Sequence, residues 1–159
     1  MSKDFNKNKV AVLTGAAKKI GRSTAIKLAE QGFNILIHTG GKSIEEAKDT
    51  IKLLEKFKIK SNYVTGDLAN LETINIIKDA ALKLGTPSVL VNNAGLRIHE
   101  HFEKIDYKDW KKVMTVNVDA SFLCAQALIN YMVKQKWGRI INIGGLSAHI
   151  GAKERAHVV

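Results

Sequence analysis

Thr14-Gly15-Ala16-Ala17-Lys18-Lys19-Ile20-Gly21-Arg22 is the stretch on which the fold turns. It stands between an apolar, β-branched run, residues 9–14 (KVAVLT), and a segment where Ile20, Ala25, Leu28 and Ala29 recur at helical spacing before Gly32. A short apolar run of this kind reads as a strand buried on both faces, and the recurrence after it reads as a helix. Gly15 lets the chain turn tightly between the two. Gly21 lets the helix N-terminus approach a pyrophosphate, whose charge the free N–H groups there satisfy. An ordinary strand-to-helix turn explains two glycines equally well, so the rest of the chain decides.

Outward from this turn the pattern repeats. Residues 34–38 (NILIH) form a second strand, and residues 43–57 an amphipathic helix carrying Ile44, Ala47, Ile51 and Leu54. Residues 62–65 form a third strand. Residues 70–84 are a helix with Leu71, Ile74, Ile77, Ala81 and Leu84 on one face, stopped by Gly85, Thr86 and Pro87, the only proline. Residues 88–91 (SVLV) are a fourth strand. A helical stretch then runs from Asp106 to about Lys136, divided near Asn117, and residues 139–143 (RIINI) supply a fifth strand. This alternation predicts an α/β fold, a doubly wound, Rossmann-like parallel sheet with helices on both faces, as one domain over residues 1–159.

Composition agrees. Hydrophobic residues make up 45% and charged residues 25% of the 159, which excludes disordered and fibrous classes. The apolar runs are strand-sized, so no membrane span is expected. Residues 1–9 are polar and basic, without the apolar middle of a secretory signal, which makes the cytoplasm the expected location. The single cysteine, Cys124, has no internal disulfide partner and sits in an apolar helical stretch as a small hydrophobe. The net charge of +10 is spread along helices rather than gathered into a block, which predicts a solvated surface and no nucleic-acid partner. It favours anionic ligands, among them a phosphorylated cofactor.

Four motifs in order carry a family resemblance. The turn Thr14–Gly21 is followed by Gly66-Asp67-Leu68 after the third strand, Asn92-Asn93-Ala94-Gly95 after the fourth, and Met114-Thr115-Val116-Asn117-Val118 in the long helix. Together they resemble the short-chain dehydrogenase/reductase family, in particular 3-oxoacyl-carrier-protein reductases and pteridine reductases, over nearly the whole chain. The family turn reads Thr-Gly-x-x-x-Gly-x-Gly; Lys19 takes the middle glycine, as in pteridine reductases.

The resemblance implies a dinucleotide held by Gly15, Ala16, Ala17, Lys18, Lys19, Ile20 and Gly21, with Asp67 and Leu68 beside the adenine and Asn93, Ala94 and Gly95 passing along the cofactor. Asp67 alone equally suits a helix N-cap. NAD-binding folds place an acid at the end of the second strand to hold the ribose 2′-hydroxyl, whereas this chain has Ile37-His38-Thr39-Gly40-Gly41-Lys42-Ser43, with no acid before Glu45. A 2′-phosphate meets no repulsion there and can bond Thr39, Ser43 or nearby lysines, so NADP (NADPH) is the expected cofactor. Lys18 matches the position where NADP-preferring members carry Arg or Lys. His38 reads as a strand-end residue without a proton-transfer role.

Members of the family transfer hydride between nicotinamide and a small-molecule carbonyl or alcohol, with a serine, a tyrosine and a lysine four residues beyond it. Alignment on the fifth strand puts Gly145 at the serine position and Val158 at the tyrosine position, and neither does acid–base chemistry. Ser147, two residues on, is the candidate replacement; His149 and His157 are candidate proton donors, a loop histidine being more often solvent-facing. Asn117 matches the helix asparagine whose carbonyl extends a proton relay in relatives. His99, Glu100 and His101 lack the further ligands of a metal site and suit a substrate-side loop. The resemblance also implies a C-terminally truncated member lacking the last strands and helices, with residues 139–143 left as an exposed edge, and a homodimer or homotetramer for a full-length form. A non-catalytic NADP-binding protein is the competing reading.

Overall fold

The computed structural model describes residues 3–158; Met1, Ser2 and the Val159 terminus lie outside the described residues. Five parallel strands, β1 (Lys9–Leu13), β2 (Asn34–Thr39), β3 (Ser61–Thr65), β4 (Thr86–Asn92) and β5 (Arg139–Asn142), lie in the order β3-β2-β1-β4-β5. This is the expected doubly wound sheet. Strand order reverses between β1 and β4, and in open parallel sheets the crevice at the carboxyl ends of such a pair is where ligands bind.

The helices are α1 (Lys3–Asn6), α2 (Lys19–Glu30), α3 (Ile44–Leu54), α4 (Leu71–Leu84), α5 (Tyr107–Met114), α6 (Ala120–Lys134) and α7 (Ser147–Ile150). Strand side chains alternate between two layers, as the period of two requires. Ala11, Leu13, Ile35, Ile37, Val89 and Val91 face Ala25 and Ala29 of α2 and Ala47 and Leu54 of α3. Val10, Val12, Leu36 and Leu90 face Ile74, Ile77 and Ala81 of α4 and Ala120, Cys124, Leu128 and Met132 of α6. The four apolar side chains of β1 from Val10 to Leu13 are fully buried, which is why this strand reads as an unbroken apolar run. Burying a Val or Leu side chain contributes about 1.5–3 kcal/mol.

Four expectations change. Pro87 does not stop α4: it lies inside β4, buried, opposite Val10, where the β1–β4 register shifts. A proline lacks the N–H a regular ladder needs, and an irregular position is where a strand accepts one. Ile20 (60% exposed) and Leu71 (62%) face outward in the first turns of their helices instead of joining the apolar face. The division near Asn117 is no gap, since Thr115–Asp119 forms one π-helical turn that joins α5 and α6 into a continuous helix from Tyr107 to Lys134. That helix is long and apolar enough to cross a bilayer; Ala120, Cys124, Leu128 and Met132 are buried against the sheet, while Val118, Phe122, Ile129 and Val133 are exposed. The small helix α1 was not foreseen; its Phe5 packs edge-on against Trp137, which in turn stacks on Phe33.

Among the described residues β5 pairs with β4 alone and is exposed along its length.

Candidate functional site

The site is assembled where β1 and β4 end side by side. The Thr14 hydroxyl accepts from the backbone N–H groups of Asn93 and Ala94, each at 3.1 Å, and the Asn93 side-chain amide donates to the carbonyls of Thr14 (3.1 Å) and Gly15 (2.9 Å). Two loops distant in sequence become one rigid floor. Gly15, at φ +61°, takes a left-handed conformation, and a Cβ there would stand 2.8 Å from Ala94 Cα. A Cβ on Gly21 would stand 2.5 Å from Ala16 Cα and 2.9 Å from the Asn93 amide. Both glycines are therefore required by how closely the turn sits on the Asn93–Ala94 loop, whatever ligand approaches. Gly95 differs: the nearest atom to a Cβ there is Asn117 Oδ1 at 3.8 Å, an ordinary contact.

α2 begins at this floor with no side-chain cap and no acid in its first turn. By contrast, Asn70 caps α4 through Glu72 N, and Asp106 caps α5 through Asp109 N. The N-terminus of α2 thus presents unneutralised positive potential to the crevice. Lys19, its first residue, holds φ +52°. A side chain in that region stores about 1–2 kcal/mol of strain, a cost a glycine avoids, and what the lysine adds in exchange is charge.

Towards β2 the turn is tied by Ala16 N–H donating to the His38 carbonyl at 3.0 Å, so this amide is already used. Ala16 and Ala17 are buried; Lys18, Lys19 and Ile20 are exposed. Thr39 is buried, and its hydroxyl donates to Gly40 O at 3.2 Å, so it turns inward at the strand end. Lys42 is exposed on the following 3-10 turn. Lys18 Nζ lies 2.8 Å from Glu46 Oε1 on the first turn of α3. The Arg22 guanidinium donates to Ala17 O, Thr50 Oγ1 and Glu46 O, locking α2 to α3. Sequence reading placed Thr14 only as the first residue of the turn and gave the Arg22, Glu46 and Thr50 side chains no role: partners 24 to 80 residues apart leave no periodic signal.

At the third strand's end, Leu68 is buried while Asp67 is exposed and accepts from Ala69 N at 3.0 Å in a local turn; the cap of α4 is Asn70, not Asp67. Beneath them His38 is buried, its Nε2 3.1 Å from Gly66 O and its Nδ1 without a partner. Burial holds its pKa below the ordinary histidine value, against the opposing pull of the Gly66 carbonyl and Asp67. Cys124 is buried and its thiol is pushed up to about 11 by desolvation, consistent with a small hydrophobe.

On the other side of the crevice, Asn117 in the π turn grips Leu96 twice: its Oδ1 accepts from Leu96 N at 2.7 Å and its amide donates to Leu96 O at 3.1 Å. The Asn117 carbonyl accepts from Ser121 Oγ at 3.3 Å. Beyond β5, Ser147 opens α7, and its Oγ lies 3.4 Å from where a Cβ on Gly145 would stand. The hydroxyl therefore occupies space next to that of a residue-145 side chain. His149 is exposed. His157, expected to face solvent, is instead 1% exposed with both ring nitrogens unpartnered; the turn closed by Val158 N–H to Arg155 O folds it inward. His101 Nε2 lies 3.3 Å from Glu154 Oε1, and Glu100 N–H donates to Glu154 O, which ties the loop after β4 to the segment after α7.

A parallel sheet with this strand order, a glycine turn at its switch point and an uncapped helix beneath it define the class of doubly wound α/β proteins built around a crevice for a nucleotide. Within that class the chain belongs to the short-chain dehydrogenase family, whose sequence profile matches residues 9–157. It is 34% identical over 158 residues to a 3-oxoacyl-(acyl-carrier-protein) reductase of Staphylococcus epidermidis, covering 96% of this chain and 62% of that protein. It is 35% identical over 156 residues to an NADP(+) L-rhamnose 1-dehydrogenase of Thermoplasma acidophilum, covering 97% and 61%. The crystal structure of acetoin dehydrogenase from Salmonella typhimurium superposes with a TM-score of 0.89 at 34% identity, covering 95% of this chain and 60% of that one. The chain thus spans about three fifths of the length of the relatives it matches.

Proposed function

We propose that this chain forms the NADP(H)-binding part of an oxidoreductase that reduces a small-molecule carbonyl, or oxidises the matching alcohol, by hydride transfer. The observation that carries the reading is the uncapped N-terminus of α2 under a turn whose glycines fit no side chain, opposite a β2 end without an acid. Gly15, Ala16, Ala17, Lys18, Lys19, Ile20 and Gly21 form the phosphate side of the site, Thr39 the ribose end, Asp67 and Leu68 the adenine end, and Asn93, Ala94 and Gly95 the floor. When bound, the cofactor supplies hydride. Ser147 orients the substrate oxygen in place of the residue that Gly145 lacks, and Asn117 positions the Leu96 loop beside it. Similarity to an NADP(+) L-rhamnose 1-dehydrogenase supports the phosphorylated cofactor.

Fluorescence titration of the purified chain with NADPH and NADH tests this: NADPH is expected to bind more tightly, and equal or absent binding sinks the assignment. A second reading, cofactor binding without turnover, draws on Gly145 and Val158 standing at the positions of the family's serine and tyrosine. It predicts tight NADPH binding with no carbonyl-dependent oxidation of NADPH.

A further inference from the structure

Four cations lie on the turn at Lys18–Arg22 and on the 3-10 turn after β2, and they are not equivalent. Arg22 spends its donors on Ala17 O, Thr50 Oγ1 and Glu46 O, so it holds the two helices together. Lys19 and Lys42 have no ion-pair partner among the described residues. Lys18 is held by Glu46 at 2.8 Å, with both side chains partly exposed. Because Arg22 bonds the Glu46 carbonyl at 3.0 Å, the backbone that carries this carboxylate is fixed. The Lys18 ammonium, through its hydrogen bond, holds the Glu46 carboxyl below the ordinary carboxylate range, so it stays ionised at neutral pH.

The hydrogen bond from Ala16 N to His38 O sets this pair beside the end of β2, where dinucleotide folds read the ribose 2′ position. We infer that Glu46 sets the discrimination between NADPH and NADH by competing with the 2′-phosphate for Lys18. The inference rests on the NADP(H) reading above. A 2′-hydroxyl leaves the Lys18–Glu46 pair untouched. A 2′-phosphate must draw Lys18 away from Glu46. Glu46 therefore weakens NADPH binding while leaving NADH binding alone, and the preference for NADPH is smaller than the lysines alone would give.

The test is a set of NADPH and NADH dissociation constants, measured by cofactor fluorescence at one ionic strength for the wild type, Glu46→Gln, Glu45→Gln, Lys18→Gln and the Lys18→Gln/Glu46→Gln pair. Glu45 is the control for net charge: it is the adjacent residue, bound to Lys48 at 2.7 Å, and its substitution changes total charge by the same amount. Exposed ion pairs contribute little, so Glu46→Gln is expected to tighten NADPH about two- to fivefold and to leave NADH unchanged. Glu45→Gln should change neither, and the gain should vanish in the Lys18→Gln background. An NADPH constant that is unchanged or weaker in Glu46→Gln overturns the inference, as does an equal gain from Glu45→Gln or a gain that survives without Lys18. A wild-type chain that binds NADPH no better than NADH overturns instead the cofactor reading on which this rests.

Discussion

His38 shows how one buried residue couples the carboxyl end of the sheet to pH. The folded chain keeps its ring neutral because burial disfavours the charged form, so its pKa lies below the ordinary histidine value. Unfolded, the same ring takes up a proton near that value. Between the two pKa values the unfolded chain binds more protons, so the stability due to His38 is present above pH 6.5 and is lost as pH falls below it. Urea melts between about pH 8 and about pH 5.5 should show stability falling with acid, and a smaller fall in His38→Asn, which keeps a donor for Gly66 O. An equal fall in both proteins would remove His38 from the account. The sequence shows a histidine at a strand end; only the tertiary structure shows that the ring points into the α4 layer.

At the scale of elements, the start of α2 sits closely on both its own turn and the loop after β4. Gly21→Ala places a Cβ 2.5 Å from backbone at Ala16, where no flexible side chain can move aside. The expected cost is about 1–3 kcal/mol of stability, read from the denaturation midpoint, together with weaker NADPH binding as the turn lifts off Asn93. A substitution at Gly95 by alanine, which meets only Asn117 Oδ1 at 3.8 Å, should cost much less; equal losses at the two positions would show that the packing argument is wrong. Element identity was largely legible from periodicity: β1, β2, α4 and β5 lie within a residue or two of their expected bounds. What periodicity misplaced was local. Ile20 and Leu71 sit in first turns, where the helix has not yet met the sheet, and Pro87 enters a strand because the β1–β4 register is irregular at that point.

For the molecule as a whole, the long helix has two apolar faces. One is the core face, and the other carries Val118, Phe122, Ile129 and Val133, spaced to lie along one side and all exposed. Apolar stripes of this kind mark association surfaces, so the expected test of the homodimer or homotetramer reading is whether this helix supports self-association. Light scattering should find a dimer or larger species for the wild type and a smaller one for Phe122→Lys; an unchanged mass would discard the surface. From the sequence alone came the α/β class and the family, because each is written in local periodicity or in a contiguous motif. The glycines of the Gly15–Gly21 turn, the proposed phosphate site, were legible in that way. Their reason was not, since the contacts that forbid a side chain come from Ala16 and from Asn93–Ala94, brought in by the β1–β4 pairing. The Lys18–Glu46 pair, the Arg22 lock and the inward turn of His157 belong to the same kind: each depends on residues far apart in the chain meeting in space, which only packing of the elements decides.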